Sequence, residues 1–289
     1  MPTLACLNGE IMPVEEARVP VWDRGYMFGD AVYEVFRLFN GRPWLEAEHV
    51  ARLRRSLAEL ELPPVDLDRL MARVWKTIAE SGVREGTAYI QISRGVAPRA
   101  HAFPDPPVPP TELVIIKEYD DAATALSRET GVPVISGPDL RWGRCDVKST
   151  NLLGNVLALE HAKRAGAHEA ILVGRDGLVT EATHSSVLWV RNGRLEGTPD
   201  GPEILPGTKR HFVQSLAPDA RVAFAEARVT LDELKAADEV MLLGTTIEVL
   251  PVISIDGDRV GDGTPWPVAR RLQTAYWAAV ERWLSEIGP

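Results

Sequence analysis

Asn8-Gly9 and Asn40-Gly41 each split a pair of short apolar-rich runs, and they constrain the folding of the first part of the chain most strongly. Asn and Gly tolerate the positive φ that a two-residue hairpin turn needs at both central positions. Each dipeptide therefore predicts a pair of antiparallel strands: Thr3 to Leu7 with Glu10 to Val14, and Val32 to Phe39 with Arg42 to Leu45. Amphipathic helices are expected over about Ala47 to Leu60 and Leu67 to Ser81, the second stopped by Gly82. Strand patterns return at Thr87 to Ser93 and Glu112 to Glu118, on either side of a proline-rich loop from Gly95 to Pro110. A loop that long between core strands is usually functional or disordered. This one carries Arg99, His101 and Phe103, which favours function.

The polar, alanine-rich stretch Tyr119 to Gly131 reads as a connection between two domains, 1–120 (smaller) and 121–289 (larger). Strands are expected beyond it at Val132 to Ser136, Ala170 to Val173, Ser186 to Val190, Val222 to Glu226 and Glu239 to Leu243. Helices are expected at about Leu152 to Arg164, Lys209 to Leu216, Leu231 to Ala236 and Val268 to Ile287. Strands and helices mix without strict alternation, so an α+β chain of two domains is predicted rather than one doubly wound sheet.

Only six of the 32 basic side chains are lysines, so each can be weighed. Lys76, Lys163, Lys209 and Lys235 fall in helical patterns with charged neighbours, and Lys117 ends a strand. Lys148 alone precedes a cluster of small polar residues, in Asp-Val-Lys-Ser-Thr-Asn-Leu-Leu-Gly. A lysine amine, unlike a guanidinium, can lose its proton and form a Schiff base with a carbonyl. Four further features stand beside it. Tyr33 and Val35 share one face of a strand in Asp-Arg-Gly-Tyr-Met-Phe-Gly-Asp-Ala-Val-Tyr-Glu-Val. Arg52 and Arg55 are three apart on a helix. Glu181 follows a strand and precedes small hydroxyl residues. The turns Leu205-Pro206-Gly207-Thr208 and Gly244-Thr245-Thr246 offer backbone N–H groups suited to a phosphate.

A lysine, an acid and an anion cradle are the parts that pyridoxal 5′-phosphate requires. In this order they resemble the class IV branch of pyridoxal-phosphate aminotransferases, and the likeness runs essentially end to end. Its most specific pieces are Asp-Arg-Gly-Tyr-Met-Phe-Gly-Asp, Asp-Val-Lys-Ser-Thr-Asn-Leu-Leu-Gly-Asn and Thr-Thr-Ile-Glu-Val-Leu-Pro-Val. Within the family, Ser-Arg-Gly-Val-Ala-Pro-Arg-Ala-His-Ala-Phe-Pro is similar to the carboxylate-binding loop of the D-amino-acid branch. The resemblance implies that Lys148 is the Schiff-base lysine and proton carrier, that Glu181 pairs with the pyridine nitrogen, and that Arg52 binds the phosphate. It further implies phosphate contacts from the turns at Thr208 and Thr245, and packing of Leu205 behind the cofactor ring. Tyr33, Arg99 and His101 would hold the substrate carboxylate, the last two lent by the neighbouring subunit of a homodimer. The implied reaction moves an amino group between a D-amino acid such as D-alanine and a 2-oxo acid such as 2-oxoglutarate. Branched-chain L-amino-acid or amine transamination and aminodeoxychorismate lyase activity are the alternatives on the same scaffold. Two departures from the family pattern are His184, after Glu181, and Lys209, where a threonine is common.

Charge and composition narrow the partners. A formal net charge of −9 argues against a nucleic-acid partner. No apolar stretch approaches a membrane span and no signal peptide is evident. Cys6 and Cys145, the only cysteines, suit a reducing compartment and form no metal-ligand pattern, so a cytoplasmic enzyme without a metal is expected.

Overall fold

The computed structural model describes residues 3–263 and 266–286. The chain divides into two compact units, Met1–Asp120 with Val147–Asn151, and Asp121–Asp146 with Leu152–Pro289.

The first unit contains β1 (Leu4–Leu7), β2 (Glu10–Pro13), α1 (Arg24–Phe28), β3 (Ala31–Phe39), β4 (Arg42–Pro43), α2 (Glu46–Glu59), α3 (Leu67–Ser81), β5 (Gly86–Ser93) and β6 (Thr111–Glu118). Its strands form one antiparallel sheet in the order β2-β1-β6-β5-β3-β4. Both Asn-Gly turns of this unit behave as the sequence predicts. Leu7 faces Glu10 and Phe39 faces Arg42, with positive φ at Asn8, Gly9, Asn40 and Gly41. The second pair is shorter than expected: β4 ends at Pro43, past which the Trp44 N–H still donates to the Arg37 carbonyl at 2.9 Å. Helix α3 begins where the Asp66 carboxylate accepts the Arg69 N–H, and ends at Gly82 in the left-handed conformation. Leu53, Leu57, Leu70, Val74 and Ile78 of α2 and α3 are buried with Phe36, Leu38, Ile90, Ile92, Val114 and Ile116 of the sheet. Each such side chain contributes about 1.5–3 kcal/mol by leaving water. The alternation of the strands turns Tyr33, Val35, Tyr89 and Gln91 to the other, half-buried face.

Val147–Asn151 lies in the range read from sequence as the larger domain, yet it is built into the first unit. Val147 is buried in the first unit's core. Ser149 bridges Val32, and main-chain bonds join Tyr33 N–H to the Lys148 carbonyl and Thr150 N–H to the Ala31 carbonyl, both at 3.0 Å. Backbone pairing with β3 thus outweighs position in the chain.

The second unit contains α4 (Ala122–Thr130), β7 (Val132–Pro138), α5 (Leu153–Arg164), β8 (Glu169–Val173), β9 (Val179–Ala182), β10 (Ser186–Arg191), β11 (Arg194–Gly197), α6 (Thr208–Ser215), β12 (Ala223–Glu226), α7 (Leu231–Lys235), β13 (Glu239–Gly244), β14 (Glu248–Ile255), β15 (Asp258–Arg259) and α8 (Pro267–Glu286). The sheet runs β12-β11-β10-β13-β14-β7-β8-β9, with β15 on β14. Three pairs are parallel (β11–β12, β14–β7 and β7–β8) and the rest antiparallel, so the α+β expectation holds. Trp189, Ile171, Val240, Leu242, Leu250 and Val252 lie at the centre of its core. Ile287, the last residue of the predicted C-terminal helix, lies outside the described residues.

The stretch expected to be a plain connection contains α4. Its Arg128 is buried, pairs with Asp121, and reaches toward Glu248 at 3.5 Å, so a charged side chain ties the helix to the turn between β13 and β14. Lys209, read as a lysine among charged neighbours, is only 2 % exposed, with its amine 5.8 Å from the Tyr276 ring centroid.

Gly95 closes the proline-rich loop against Pro109. Its φ is +102°, and a Cβ there would lie 2.1 Å from the Pro109 carbonyl oxygen. Gly95→Ala is expected to cost about 1–3 kcal/mol through strain and overpacking. A denaturant midpoint equal to wild type would contradict the close approach.

Candidate active site

The main-chain bonds to β3 fix where Lys148 lies. Its own N–H donates to Ser56 Oγ on α2 at 3.2 Å, so strand and helix both hold its backbone. The side chain is half-buried, and Nζ lies 4.2 Å from the centroid of the Tyr33 ring. Tyr33 in turn stacks on Tyr89, with centroids 5.7 Å apart and planes at 28°. Burial pushes the Tyr89 phenol up to about 12, with Tyr33 adding to the shift, so it stays protonated at neutral pH. Its hydroxyl donates to Gln91 Oε1 at 2.6 Å. The amine is therefore set over the Tyr33 ring, which Tyr89 supports.

On the core face of β3, Glu34 is fully buried and binds two side chains of α2. Arg52 Nε and Nη2 donate to its two oxygens at 2.7 and 2.9 Å, and His49 Nδ1 lies 2.7 Å from Oε2. Burial alone would raise the Glu34 pKa, but the Arg52 charge and the bonds from Arg52 and His49 outweigh it and hold the carboxyl far below the usual range. Arg52 is thus oriented by a buried fork of hydrogen bonds. Sequence reasoning passes over Glu34 and His49. The available signal is a carboxylate on the apolar face Val32, Phe36, Leu38, and a histidine three residues before Arg52.

In the second unit Glu181 lies within β9, rather than after a strand, and is 7 % exposed. Arg141 Nη1 donates to it, and the Leu205 N–H lies 3.3 Å from both of its oxygens. Arg141 also forks onto Asp139 at 3.0 and 2.7 Å and donates to the Glu203 carbonyl at 2.9 Å. Burial acts against the Arg141 charge, but Asp139 and Glu181 overcome it and keep the guanidinium protonated. Arg141 sits in irregular backbone, where periodicity gives no warning of it.

The small-residue turns gather around neighbouring elements of this unit. Ser186 begins β10 and faces Leu243, the residue before Gly244 at the end of β13. Gly207 precedes Thr208 at the start of α6, which packs on β13. A Cβ on Gly207 would lie 2.8 Å from Ser186 Oγ, so only glycine leaves that approach open. Thr208 is buried and Thr245 half-buried. Between Glu181 and Ser186, the turn at His184 is organised by buried Glu169. It accepts bonds from the His184 N–H (2.6 Å), the Ser185 N–H (3.1 Å) and Thr183 Oγ1 (2.8 Å). The His184 ring lies 3.0 Å from the same carboxylate.

Arg99 and His101 occupy an exposed part of the loop that bends rather than runs extended. Both still lean on one ring, Phe28. The Arg99 guanidinium is 5.2 Å and the His101 ring 5.7 Å from its centroid. Buried Arg24 donates to the carbonyls of Ala100, His101 and Ala102, and buried Arg94 lies 3.6 Å from the Phe103 centroid. Neither arginine carries a role readable from sequence. No group of side chains fit to hold a metal occurs among the described residues.

The first unit thus presents an amine over an aromatic ring, and the second a buried acid and a turn kept open by glycine. The chain belongs to the amino-transferase class IV family, whose model matches residues 31–255. It is 40% identical over 275 residues to a D-alanine aminotransferase of Staphylococcus epidermidis, covering 95% of this chain and 96% of that one. A D-alanine aminotransferase of Bacillus licheniformis is also 40% identical, over 272 residues, with 93% and 94% covered. Among solved structures, the branched-chain amino acid aminotransferase of Escherichia coli superposes with a TM-score of 0.90 at 25% identity, covering 96% of this chain and 94% of that one. A second branched-chain enzyme, from T.th. and solved with pyridoxamine 5′-phosphate, gives 0.89 at 28%, with 97% and 94% covered. The branched-chain enzymes share the fold. The chain is a pyridoxal-phosphate-dependent enzyme.

Glu34→Gln should cost about 3–5 kcal/mol at pH 7, because it leaves the buried Arg52 charge without its counter-ion. The folded-state pKa of Glu34 is depressed, so its contribution is full above the ordinary Glu value of about 4.3 and fades as pH falls. The stability gap between variant and wild type should therefore narrow in acid. Chemical denaturation at pH 7 and pH 3 checks this, and a gap that widens would refute it.

Proposed function

We propose that this chain exchanges an amino group between a D-amino acid, such as D-alanine, and a 2-oxo acid, such as 2-oxoglutarate. The observation that carries the reading is the pairing of Arg99 and His101 on the Phe28 ring, two donors to a carboxylate on one fixed platform. End-to-end likeness to D-alanine aminotransferases supports it.

The residues fit pyridoxal 5′-phosphate by their chemistry: an amine, a buried carboxylate, and turns kept open by a glycine that a Cβ would close. When bound, that group withdraws electrons from the substrate α-carbon as its proton leaves. Lys148 Nζ would hold the cofactor's aldehyde carbon and then carry the α-proton from one face to its new position. Glu181, bonded to Arg141, would accept the hydrogen bond of the ring nitrogen, and Leu205 would pack against the ring. Arg52 and the N–H groups at Thr208 and Thr245 would hold the phosphate. Tyr33, Arg99 and His101 would take the substrate carboxylate, with Arg99 offering a planar fork to its two oxygens.

Arg99 and His101 would serve a neighbouring subunit of a homodimer. Val21, Trp22, Tyr26 and Phe103 are 69%, 50%, 77% and 52% exposed. Backbone pairing of Asp23 with Val96 brings the two segments together, and a large exposed apolar patch marks an interface. We place the enzyme in the cytoplasm, where Cys6 and Cys145, both free and buried, meet reducing conditions. No described helix is long and apolar enough to cross a membrane.

Lys148→Ala should abolish the long-wavelength absorbance of bound cofactor and slow transamination at least ~10²–10⁴-fold. Wild-type absorbance with normal turnover would refute the assignment. Arg99→Ala should lower kcat/KM for D-alanine about tenfold or more, with a far smaller effect on an amine lacking a carboxylate. Faster turnover of L-leucine than of D-alanine by wild type would point to the branched-chain activity instead.

A further inference from the structure

We propose that Arg24 is a positioning residue for the substrate carboxylate, acting by fixing the backbone that presents Arg99 and His101. The inference rests on the carboxylate-binding reading of those two residues. Arg24 is 3 % exposed and buries a full charge, which costs several kcal/mol unless its donors are met. Three of its hydrogen bonds go to the loop. Nη1 donates to the carbonyls of Ala100 at 2.6 Å and Ala102 at 3.2 Å, and Nη2 reaches the His101 carbonyl at 3.4 Å. Three successive carbonyls converge on one guanidinium. A planar fork serves several acceptors at once, which a lysine's single ammonium does less well at fixed geometry.

The other side of Arg24 is anchored to the sheet. Nε donates to Asp30 Oδ2 at 2.8 Å, and Arg94 Nε donates to the same oxygen at 2.8 Å. Arg94 is held by the carbonyls of Leu60 and Glu61, both at 2.7 Å. Helix α1, which carries Arg24, starts at Asp23. One Asp23 oxygen accepts the Gly25 N–H, and the other accepts Ser93 Oγ and Thr111 Oγ1, at the ends of β5 and β6. The anchor is thus the sheet itself.

The same ring joins the parts. Arg24 lies 4.9 Å from the Phe28 centroid, which also receives Arg99 and His101. Releasing the carbonyls would free the 100–102 backbone and let both donors leave the ring. An ordered donor pair binds an anion without first losing that freedom, so Arg24 should act on substrate affinity and not on the chemical step. A merely structural arginine would lower the activity toward every substrate alike.

The test compares Arg24→Met, Arg99→Ala and the double variant, as holoenzymes, with D-alanine and with a primary amine lacking a carboxylate in the half-reaction. Arg24→Met should raise KM for D-alanine about tenfold with kcat changed far less, and leave the amine nearly unaffected. Added to Arg99→Ala it should cost less than it does alone, because only His101 is then left for it to present. Hydrogen exchange of the amides of residues 99–103 should quicken in Arg24→Met, with or without cofactor. Selectivity in Arg99→Ala without any in Arg24→Met overturns the role of Arg24 and leaves the carboxylate reading standing. Equal losses on acid and amine in Arg99→Ala overturn both. Unchanged loop exchange in a folded Arg24→Met also overturns the proposal. Should the Met variant not fold, Arg24→Lys keeps the charge beside Asp30 but cannot gather three carbonyls. The same KM split is expected, and a wild-type KM in that variant refutes the idea.

Discussion

The pairing of a five-residue segment with the start of β3 is the constraint on which the chemistry depends. Val147–Asn151 has little to recommend it as a structural element, being short, polar and flanked by chain that belongs to the other unit. Its backbone groups must still find partners once buried. They find them on Ala31 and Tyr33, and the Lys148 N–H finds Ser56. Because the bonds to β3 are main-chain bonds, the position of the lysine owes little to side chains that could drift. The alternation of β3 then sorts the consequences. Tyr33 turns outward beneath the amine, while Glu34, one residue on, turns inward to take Arg52 and His49. One strand supplies both the floor of the amine and the counter-ion of the arginine.

Arginine carries most of the buried positive charge among the described residues. Arg24, Arg52, Arg94, Arg128 and Arg210 are each under a tenth exposed, and each is bonded to a carboxylate or to main-chain carbonyls. With only six lysines in the chain, the preference is a compositional fact as well as a structural one. A guanidinium keeps its charge when buried and meets several acceptors in one plane, whereas a buried ammonium tends to give up its proton. The chain thus uses arginine where charge must persist, and leaves at Lys148 an amine on an aromatic face. Lys209 shows that burial alone does not mark a lysine for chemistry. It is more buried than Lys148 but lies in a helix against Tyr276.

What is legible in the sequence follows the reach of each signal. Turn chemistry and amphipathic periodicity are local, and the Asn-Gly hairpins and α3 form where those signals put them. The strand β14 is harder to read because Pro251 breaks its pattern, and proline is usually excluded from central strands. Its pairing with β7 begins only at Val252, so the missing N–H falls outside that ladder. Helix α4 reads as a linker because its composition is polar, while its fixing contacts come from Glu248, more than a hundred residues away. Lys148, Glu181 and the Gly-Thr turns are visible as motifs. Glu34, Arg24 and Arg141 are not, since each acts by orienting another group and gains its meaning only from a partner distant in sequence.

The proline-rich loop shows how such indirect groups shape a site. Ordering a residue's backbone costs about 1–2 kcal/mol, so fixing residues 99–103 costs several kcal/mol before any substrate arrives. A hydrogen bond to a charged group returns about 1.5–3 kcal/mol, and a cation over a ring about 0.5–2. Arg24 supplies bonds to three carbonyls, and Arg94 and Arg99 each lie over a phenylalanine ring. Those gains are of the size of the ordering cost, so the loop holds its shape within the single chain. Folding then bears a cost that binding would otherwise bear, and the anchor reaches through Asp23 and Asp30 to the rigid sheet. A flexible tether could carry the same two donors, but a carboxylate would have to gather them each time. The buried arginines are the physical difference between a loop that contains a binding pair and a loop that presents one.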